Sequence, residues 1–378
     1  MRSLRRSIAY LFATRLAVNI AYRFVFPFLP AISRGLGVSL EQAGFLISAR
    51  SLAGVATPVV VSAIGRGERR ARLAVGGLIL FAAGAAATAV GGVYAGALVG
   101  FVLMGLGKPA FDAAAQAYIA DRTPYDRRAR YLSIIELTWA GGLLIGAPAA
   151  GLLIDGFGWQ APFWVAVVLV GGAATLAPAM LDPDTRGRAE RPGRLRLSGS
   201  AFAVLVAVAF FSVGAETTIV VYGAWLEEEF SLSLAALGIA STFVALAELA
   251  GEGAVLAFAD RIGKRRMVAG GLAVSAAGYL ALGALGGGLV PGLTALSLSF
   301  IAFEITIVAL LPLATEVVPG ARSRYLALIM VAVSIGRAAG DAIGPALFES
   351  RGLTANTSLS AVATAAALVV LLGFTERE

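Results

Sequence analysis

The sequence predicts an all-α integral membrane protein with twelve transmembrane helices, arranged as two pseudo-symmetric six-helix bundles. Three observations carry this. Of 378 residues, 58% are hydrophobic and 14% charged, which is more apolar surface than a water-soluble globule can hide. The apolar runs recur at about 20 to 28 residues, the length that crosses a roughly 30 Å hydrocarbon core at about 1.5 Å rise per residue. The two halves of the chain also repeat one another.

In chain order the runs are 7–32, 39–64, 71–92, 94–120, 128–155, 160–181, 199–226, 233–258, 266–287, 290–317, 323–348 and 355–374. Each is read as a helix, because lipid offers no water to unpaired backbone groups and no run has the alternation of a barrel strand. The first begins like a signal peptide, but it is too long and is interrupted by Arg15, Asn19 and Arg23, so it is read as a retained span. Pro27 and Pro30 bend its outer end. Between the sixth and seventh runs lies DPDTRGRAERPGRLRLS, rich in Pro, Gly and alternating charge. It divides the chain into a first bundle (1–181), a linker (182–198) and a second bundle (199–378).

The net charge of +7 does not call for a nucleic-acid partner. With the N-terminus placed in the cytoplasm, 23 of the 30 Lys and Arg residues fall on inward segments, and only Arg34 and Arg351 fall on outward ones. By the positive-inside rule this predicts a multi-pass protein of the cell (inner or plasma) membrane with cytoplasmic N- and C-termini. The chain has no Cys and no His, so disulfides, thiolate chemistry and the usual metal ligands are excluded. No metal site and no cofactor are expected. Nor is there a G-x-x-x-x-G-K-[ST] loop for ATP.

The duplication is visible in detail. AYIADRTPYDRRARYL (117–132) matches PLATEVVPGARSRYL (312–326), which sets Asp121, Arg130 and Tyr131 opposite Glu316, Arg324 and Tyr325. IGRGERRAR after the second span corresponds to ADRIGKRRM after the eighth. Six-plus-six duplication is the mark of a transporter, since two similar halves can rock about a site between them. Ionisable residues occur within every span except the third, sixth, ninth and twelfth. A charge in lipid costs about 2.5–3.5 kcal/mol on insertion scales, so those four spans are expected at the periphery.

On these motifs the chain resembles the major facilitator superfamily. Gly253-x5-Ala259-Asp260-Arg261-x-Gly263-Lys264-Arg265-Arg266 is similar to the superfamily's loop motif. In the first half its copy is degenerate, with Gly65 and Glu68 in place of the Asp and Gly, although Arg66, Arg69 and Arg70 remain. Gly142, Gly146, Pro148 and Gly151 in the fifth span resemble the Gly/Pro motif of the efflux branch, and GWQAPFW (158–164) is similar to the family's entry to the sixth span. The resemblance is to the drug and sugar efflux group, that is, drug:proton antiporters. Where that group carries an arginine in the fourth span, this chain has Phe101, with Lys108 and Asp112 nearby.

The resemblance implies alternating access, a small-molecule substrate, a proton gradient as the coupling ion and a monomer in the bilayer, with no enzymatic activity. It implies a cytoplasmic gate at Asp260, Arg261, Gly263, Lys264 and Arg265. Packing is the plain reading of Gly142, Gly146, Pro148 and Gly151, and of Gly336, Gly340, Gly344 and Pro345 in the eleventh span. Lys108 with Asp112, and Arg337 with Asp341, stand at i,i+4 and are expected to neutralise one another. Glu216, Glu248, Glu252 and Glu304 have no cation on their own helix, so each pairs across helices or carries a proton. Glu216, Glu304, Glu248 and Asp112 are the proton-coupling candidates. Arg15, Asn19, Tyr22, Arg23, Lys108, Gln116, Trp139 and Tyr222 are the substrate-cavity candidates. Uptake of a small anion held by Arg15, Arg23 and Lys108, by symport or uniport, is the alternative, as is a lipid flippase or a sensor on the same scaffold.

Overall fold

The computed structural model describes residues 2–64, 70–182 and 197–375. Gly65, Arg66, Glu68 and Arg69 of the first-half loop, and nearly all of the 182–198 linker, lie outside the described residues. The described chain is helical. The first span comprises α1 (Arg2–Arg23) and α2 (Leu29–Leu36), and α3 (Leu40–Ile64), α4 (Arg70–Gly91) and α5 (Tyr94–Arg122) follow. The fifth span is α6 (Tyr125–Glu136) plus α7 (Thr138–Phe157), and the sixth is α8 (Ala161–Met180). In the second half the seventh span is α9 (Gly199–Ile219) plus α10 (Tyr222–Phe230). Then come α11 (Leu234–Ile262), α12 (Lys264–Leu285), α13 (Leu289–Val317) and α14 (Arg322–Thr375). The last helix holds both the eleventh and twelfth spans, with Gly352 at φ 72° turning the chain between them. Twelve spans are thus accounted for.

Local chemistry explains the ends and the breaks. Ser39 and Gln42 exchange backbone N–H bonds at 3.1 Å each, a capping box that starts α3. Ser198 and Ser233 cap α9 and α11 by accepting from the N–H groups of Ala201 and Ala236. Gly263, at φ 88°, turns α11 into α12 where a side chain would be strained. Pro27 falls in the break between α1 and α2, and Pro30 sits in the first turn of α2, where its missing N–H is no loss. The seventh span breaks at Val220–Val221 without a proline. There Gly223 lies so close to the Pro27 carbonyl that a Cβ would collide with it. The two broken spans cross at their breaks.

Spans three, six, nine and twelve lie outermost. Val90 of α4, Val168 of α8, Leu280 of α12 and Val369 of α14 are among their exposed apolar side chains, as lipid contact demands.

Small residues draw the inner spans together in the same way in each half. A Cβ on Gly142 would stand 2.8 Å from Asn19 Cβ, and one on Gly146 2.9 Å from Ile20 Cγ2. Their counterparts behave alike: Gly336 meets the Ala209 carbonyl, and a Cβ on Gly340 would stand 2.8 Å from Glu216 Cβ. Backbone-to-backbone approach of this kind is what small residues permit in membranes.

The halves touch one another mainly away from the face that carries both chain ends. We term that the terminal face, and the opposite one the far face. Gly238 faces Ala147 O and Pro148 Cα at 2.6 and 2.8 Å from its virtual Cβ, and Gly151 faces Leu234 O at 2.5 Å, which seats α11 on α7. Gly44 faces Pro345 Cγ at 2.5 Å, which seats α3 on α14. Glu349 accepts from the N–H of Leu40 at 2.8 Å, and Arg34 meets Glu227 at 2.7 Å.

Because backbone atoms leave no room at Gly44 and Gly238, Gly44→Ala and Gly238→Ala should wedge the far face apart. Spin labels at Glu41→Cys and Arg351→Cys in this cysteine-free chain should then report a longer distance than in the parent. An unchanged distance would show that the seam absorbs a methyl group.

Candidate functional site

The fold sorts the charged side chains at mid-depth into two groups. The first lies within the first bundle. Arg15 reaches Asp112 at 3.0 Å and Glu136 at 3.1 Å, and Lys108 reaches Asp112 at 2.5 Å. Gln116 donates to Glu136 at 2.9 Å. Two cations and two carboxylates here balance internally.

Arg15, Asn19 and Arg23, four apart on α1, all reach the segment around the break between α6 and α7. A break frees carbonyls that need donors. Arg15 Nη1 donates to Ile135 O at 2.7 Å, Asn19 Nδ2 to Thr138 Oγ1 at 3.1 Å, and Arg23 Nη1 to Trp139 O at 2.9 Å. Of this face, expected to line a substrate cavity, Arg15 and Asn19 instead fasten α1 to the fifth span. Tyr22 also departs from that expectation: its ring lies under the Arg50 guanidinium at 3.7 Å and 5.2 Å from Lys108 Nζ. Lys108 and Gln116 belong to the balanced cluster rather than to a cavity wall.

The second group lies between the halves. A narrow cavity is lined by Arg23, Phe26, Trp139 and Leu143 from the first half, and by Glu216, Ile219, Tyr222, Glu248, Phe300, Phe303 and Arg337 from the second. A smaller apolar space adjoins it through Ile219, Phe300 and Phe303. Arg23 grips Glu248 with both Nη atoms, at 2.7 and 2.5 Å, in a bidentate bond from one half to the other. Its guanidinium also stacks on Trp139, 4.3 Å from the ring centroid. Arg337 pairs with Glu216 at 2.8 Å. Tyr222 exchanges a hydrogen bond with Ser241 at 3.2 Å.

The expected Arg337–Asp341 pair does not form. Arg337 turns to Glu216 on the facing span, and Asp341 accepts from Ser51 instead. The cause is geometric: Gly340 brings α14 against α9 beside Glu216, so the interhelical carboxylate is the nearer partner. Of the proton-coupling candidates, Glu248, Glu216 and Asp112 each hold a cation. Glu304, 3% exposed, has no ion pair among the described residues, and its Cβ packs at 2.7 Å from the position of a Cβ on Gly251.

Of the loop residues, Asp260 and Arg261 are exposed and Lys264 meets Glu316 at 2.5 Å. Arg70 meets Asp121 at 2.5 Å at the same place in the first half. Both bonds join neighbouring helices of one half. Phe26, on the same face of the first span as Arg15, Asn19 and Tyr22, was expected as cavity wall and lines it; sequence reasoning missed Leu143, Ile219, Phe300 and Phe303, since nothing distinguishes their spacing from that of core residues. Phe300 and Phe303 had one signal, their place beside the lone Glu304.

Comparison with known proteins places this architecture. The chain resembles a bacterial homologue of the human lysosomal transporter Spinster, in an inward-facing, unoccupied conformation, with TM-score 0.72 and 15% identity over 99% of this chain and 96% of that one. It resembles the human organic anion transporter MFSD10 with TM-score 0.72 and 16% identity over 97% and 99%. In sequence it is 33% identical over 161 residues to the uncharacterized transporter YgaY of Escherichia coli O157:H7. That match spans 42% of this chain and only 40% of the relative's length. It is 28% identical over 283 residues to the class G tetracycline resistance protein of Vibrio anguillarum, 68% of this chain and 69% of that one. A chloramphenicol resistance protein of Streptomyces lividans is 29% identical over 140 residues, 37% and 36% of the two chains. The Major Facilitator Superfamily model matches twice, over residues 11–205 and 202–378, so the chain belongs to the Major Facilitator Superfamily and repeats its six-helix unit.

Proposed function

We propose that this protein exports a small organic or amphipathic compound by alternating access, in exchange for protons. The observation that carries the reading is the cavity at the junction of the halves. It has aromatic walls, is walled by both bundles and is covered on the far side by the α3–α14 and α7–α11 seams. Rocking of two such halves about a mid-membrane site exposes it to each side in turn. The tetracycline and chloramphenicol resistance proteins among its relatives support small organic compounds as substrates. The bias of arginines towards one face supports a cell-membrane protein with both termini in the cytoplasm. A monomer without cofactor or catalytic step completes the reading.

Glu304 is the carboxyl that carries the proton. Charge at membrane depth must be neutralised; Glu216, Glu248 and Asp112 are neutralised by Arg337, Arg23 and Lys108, which leaves Glu304 to be neutralised by a proton. Uptake of an anion through Arg15, Arg23 and Lys108 is the weaker reading, because each of these cations already faces a carboxylate.

In proteoliposomes holding a pH-sensitive dye, tetracycline or chloramphenicol should trigger proton movement by the wild type. Glu304→Gln should lose that movement and the ability to concentrate drug, yet keep drug-for-drug exchange. Concentration by Glu304→Gln at the wild-type level would remove Glu304 from the mechanism.

The Arg23–Glu248 pair generates a second expectation. Arg23→Gln or Glu248→Gln alone leaves a buried charge unmatched, at a cost of about 3–5 kcal/mol. The double variant should recover most of the lost thermal stability in detergent. Additive losses would show that the two side chains do not act as a pair.

A further inference from the structure

One buried carboxyl stands outside the transport reading above. Asp341 is 1% exposed and sits in the seam between α3 and α14. Its Oδ2 accepts a hydrogen bond from Ser51 Oγ, 2.7 Å away in the other half. Its Oδ1 is buried with no partner. The charged groups facing it are Glu216 from α9, Arg50 from α3 and Arg337 one turn back on its own helix. Both cations are engaged elsewhere: Arg337 with Glu216 at 2.8 Å, and Arg50 with the Tyr22 carbonyl at 2.7 Å. No salt bridge reaches Asp341 among the described residues.

An ionised carboxylate with an orphaned oxygen in a buried seam is far more costly than the neutral acid. The rest of the seam shuts Asp341 off from the far face. Gly44 packs on Pro345 and on the Asp341 carbonyl, Ser48 Oγ donates to Ala338 O at 2.8 Å, and the Leu40 amide bonds Glu349. Parting the halves at the far face would separate Ser51 from Asp341 and admit water to both.

We infer that Asp341 is a proton-operated latch on the far-face seam: as the neutral acid it lets α3 and α14 close through Ser51, and as the carboxylate it favours their parting. When the seam opens, the O–H bond of the acid breaks, its electron pair stays on the carboxylate and the proton passes to water. Arg337, four residues back, then has a second carboxylate in reach and can leave Glu216, which links the latch to the cavity. By linkage the state that binds the proton more tightly gains at low pH, so the closed seam is favoured at low pH and loses that advantage as pH rises. The inference rests on the rocking of the halves proposed above, but on neither the substrate nor Glu304.

The test uses the full chain in lipid nanodiscs, with no drug present and spin labels at Glu41→Cys and Arg351→Cys. The ratio of closed to parted populations in the parent should fall between about pH 5 and about pH 9, by up to about tenfold for each unit of difference in proton affinity between the states. Asp341→Asn, which keeps the shape of the neutral acid, should stay closed throughout. Ser51→Ala, which keeps the carboxyl and removes its bridge, should lower the closed population at low pH. The seam is read without drug and without flux, whereas the coupling assignment is read as flux in Glu304→Gln, so failure of the one and failure of the other are distinguished. A parental pH response retained in Asp341→Asn, no response in the parent, or an unchanged closed population in Ser51→Ala would each overturn the latch.

Discussion

A charge taken into lipid must meet its opposite, and the pair that does so across the two halves at mid-depth is Arg23 with Glu248. Much of the surrounding architecture serves that contact. The Trp139 carbonyl, in the first turn of α7, accepts from Arg23 as well, and the Trp139 ring lies beneath the guanidinium. Gly238, by admitting the Pro148 backbone, brings α11 close enough to α7 for Glu248 to reach α1. With both partners almost fully buried, the pair adds little net stability over an apolar pair, but losing either partner is severe. Its value is therefore in register: it sets how the bundles face each other and encloses the cavity on the terminal side of the far-face seams.

The fold was legible in the sequence because its determinants are local or periodic. Run length gave the spans, the prolines at 27 and 30 gave the bend of the first, and the absence of ionisable residues gave the four peripheral helices. The matched segments around Asp121 and Glu316 gave the repeat, and the structure puts both residues in corresponding bonds, with Arg70 and with Lys264. The site was legible only in part. Trp139, Tyr222, Arg23, Glu216 and Glu248 line the cavity, but which carboxylate each arginine takes depends on distances between helices that no spacing along the chain reveals. Arg337 had Asp341 one turn away and chose Glu216 across the gap. Arg15 and Asn19, read as cavity wall, serve the Ile135 carbonyl and the Thr138 hydroxyl beside a break in another span that carries no proline at that point. The same blindness hid the break at Val220–Val221.

Charge balance separates the buried carboxyls into two kinds. Asp112, Glu136, Glu216 and Glu248 are each matched by a cation, and their first-half and cavity groups are neutral as sets. Among the described residues Glu304 and Asp341 are unmatched and buried, as half-buried Glu252 is unmatched, and Glu304 and Asp341 lie on different helices with different surroundings. Glu304 neighbours the cavity wall formed by Phe300 and Phe303, whereas Asp341 lies in a seam that must separate. A matched carboxylate gains little from a proton, and an unmatched one at this depth needs it. The unmatched pair therefore divides the work of a coupled transporter between the site and the closure over it.

Magnitudes indicate where the halves separate. The rim pair Arg34–Glu227 has side chains 59% and 23% exposed, and an exposed pair of this kind contributes at most about 1 kcal/mol. The Glu349 bonds to the Leu40 and Glu41 amides lie at a similar rim. Breaking Arg23–Glu248 without replacement would cost about 3–5 kcal/mol. The cheapest parting of the far face thus opens the rim and the Gly44 and Gly238 contacts while the mid-depth pair stays closed. That makes the Arg23–Glu248 level the fulcrum. Asp341 and Ser51, about ten residues or roughly 15 Å along α14 and α3 from the far rim at 1.5 Å per residue, sit near that fulcrum, where a small rotation separates them last. A proton held there acts on the final contact to break and the first to re-form.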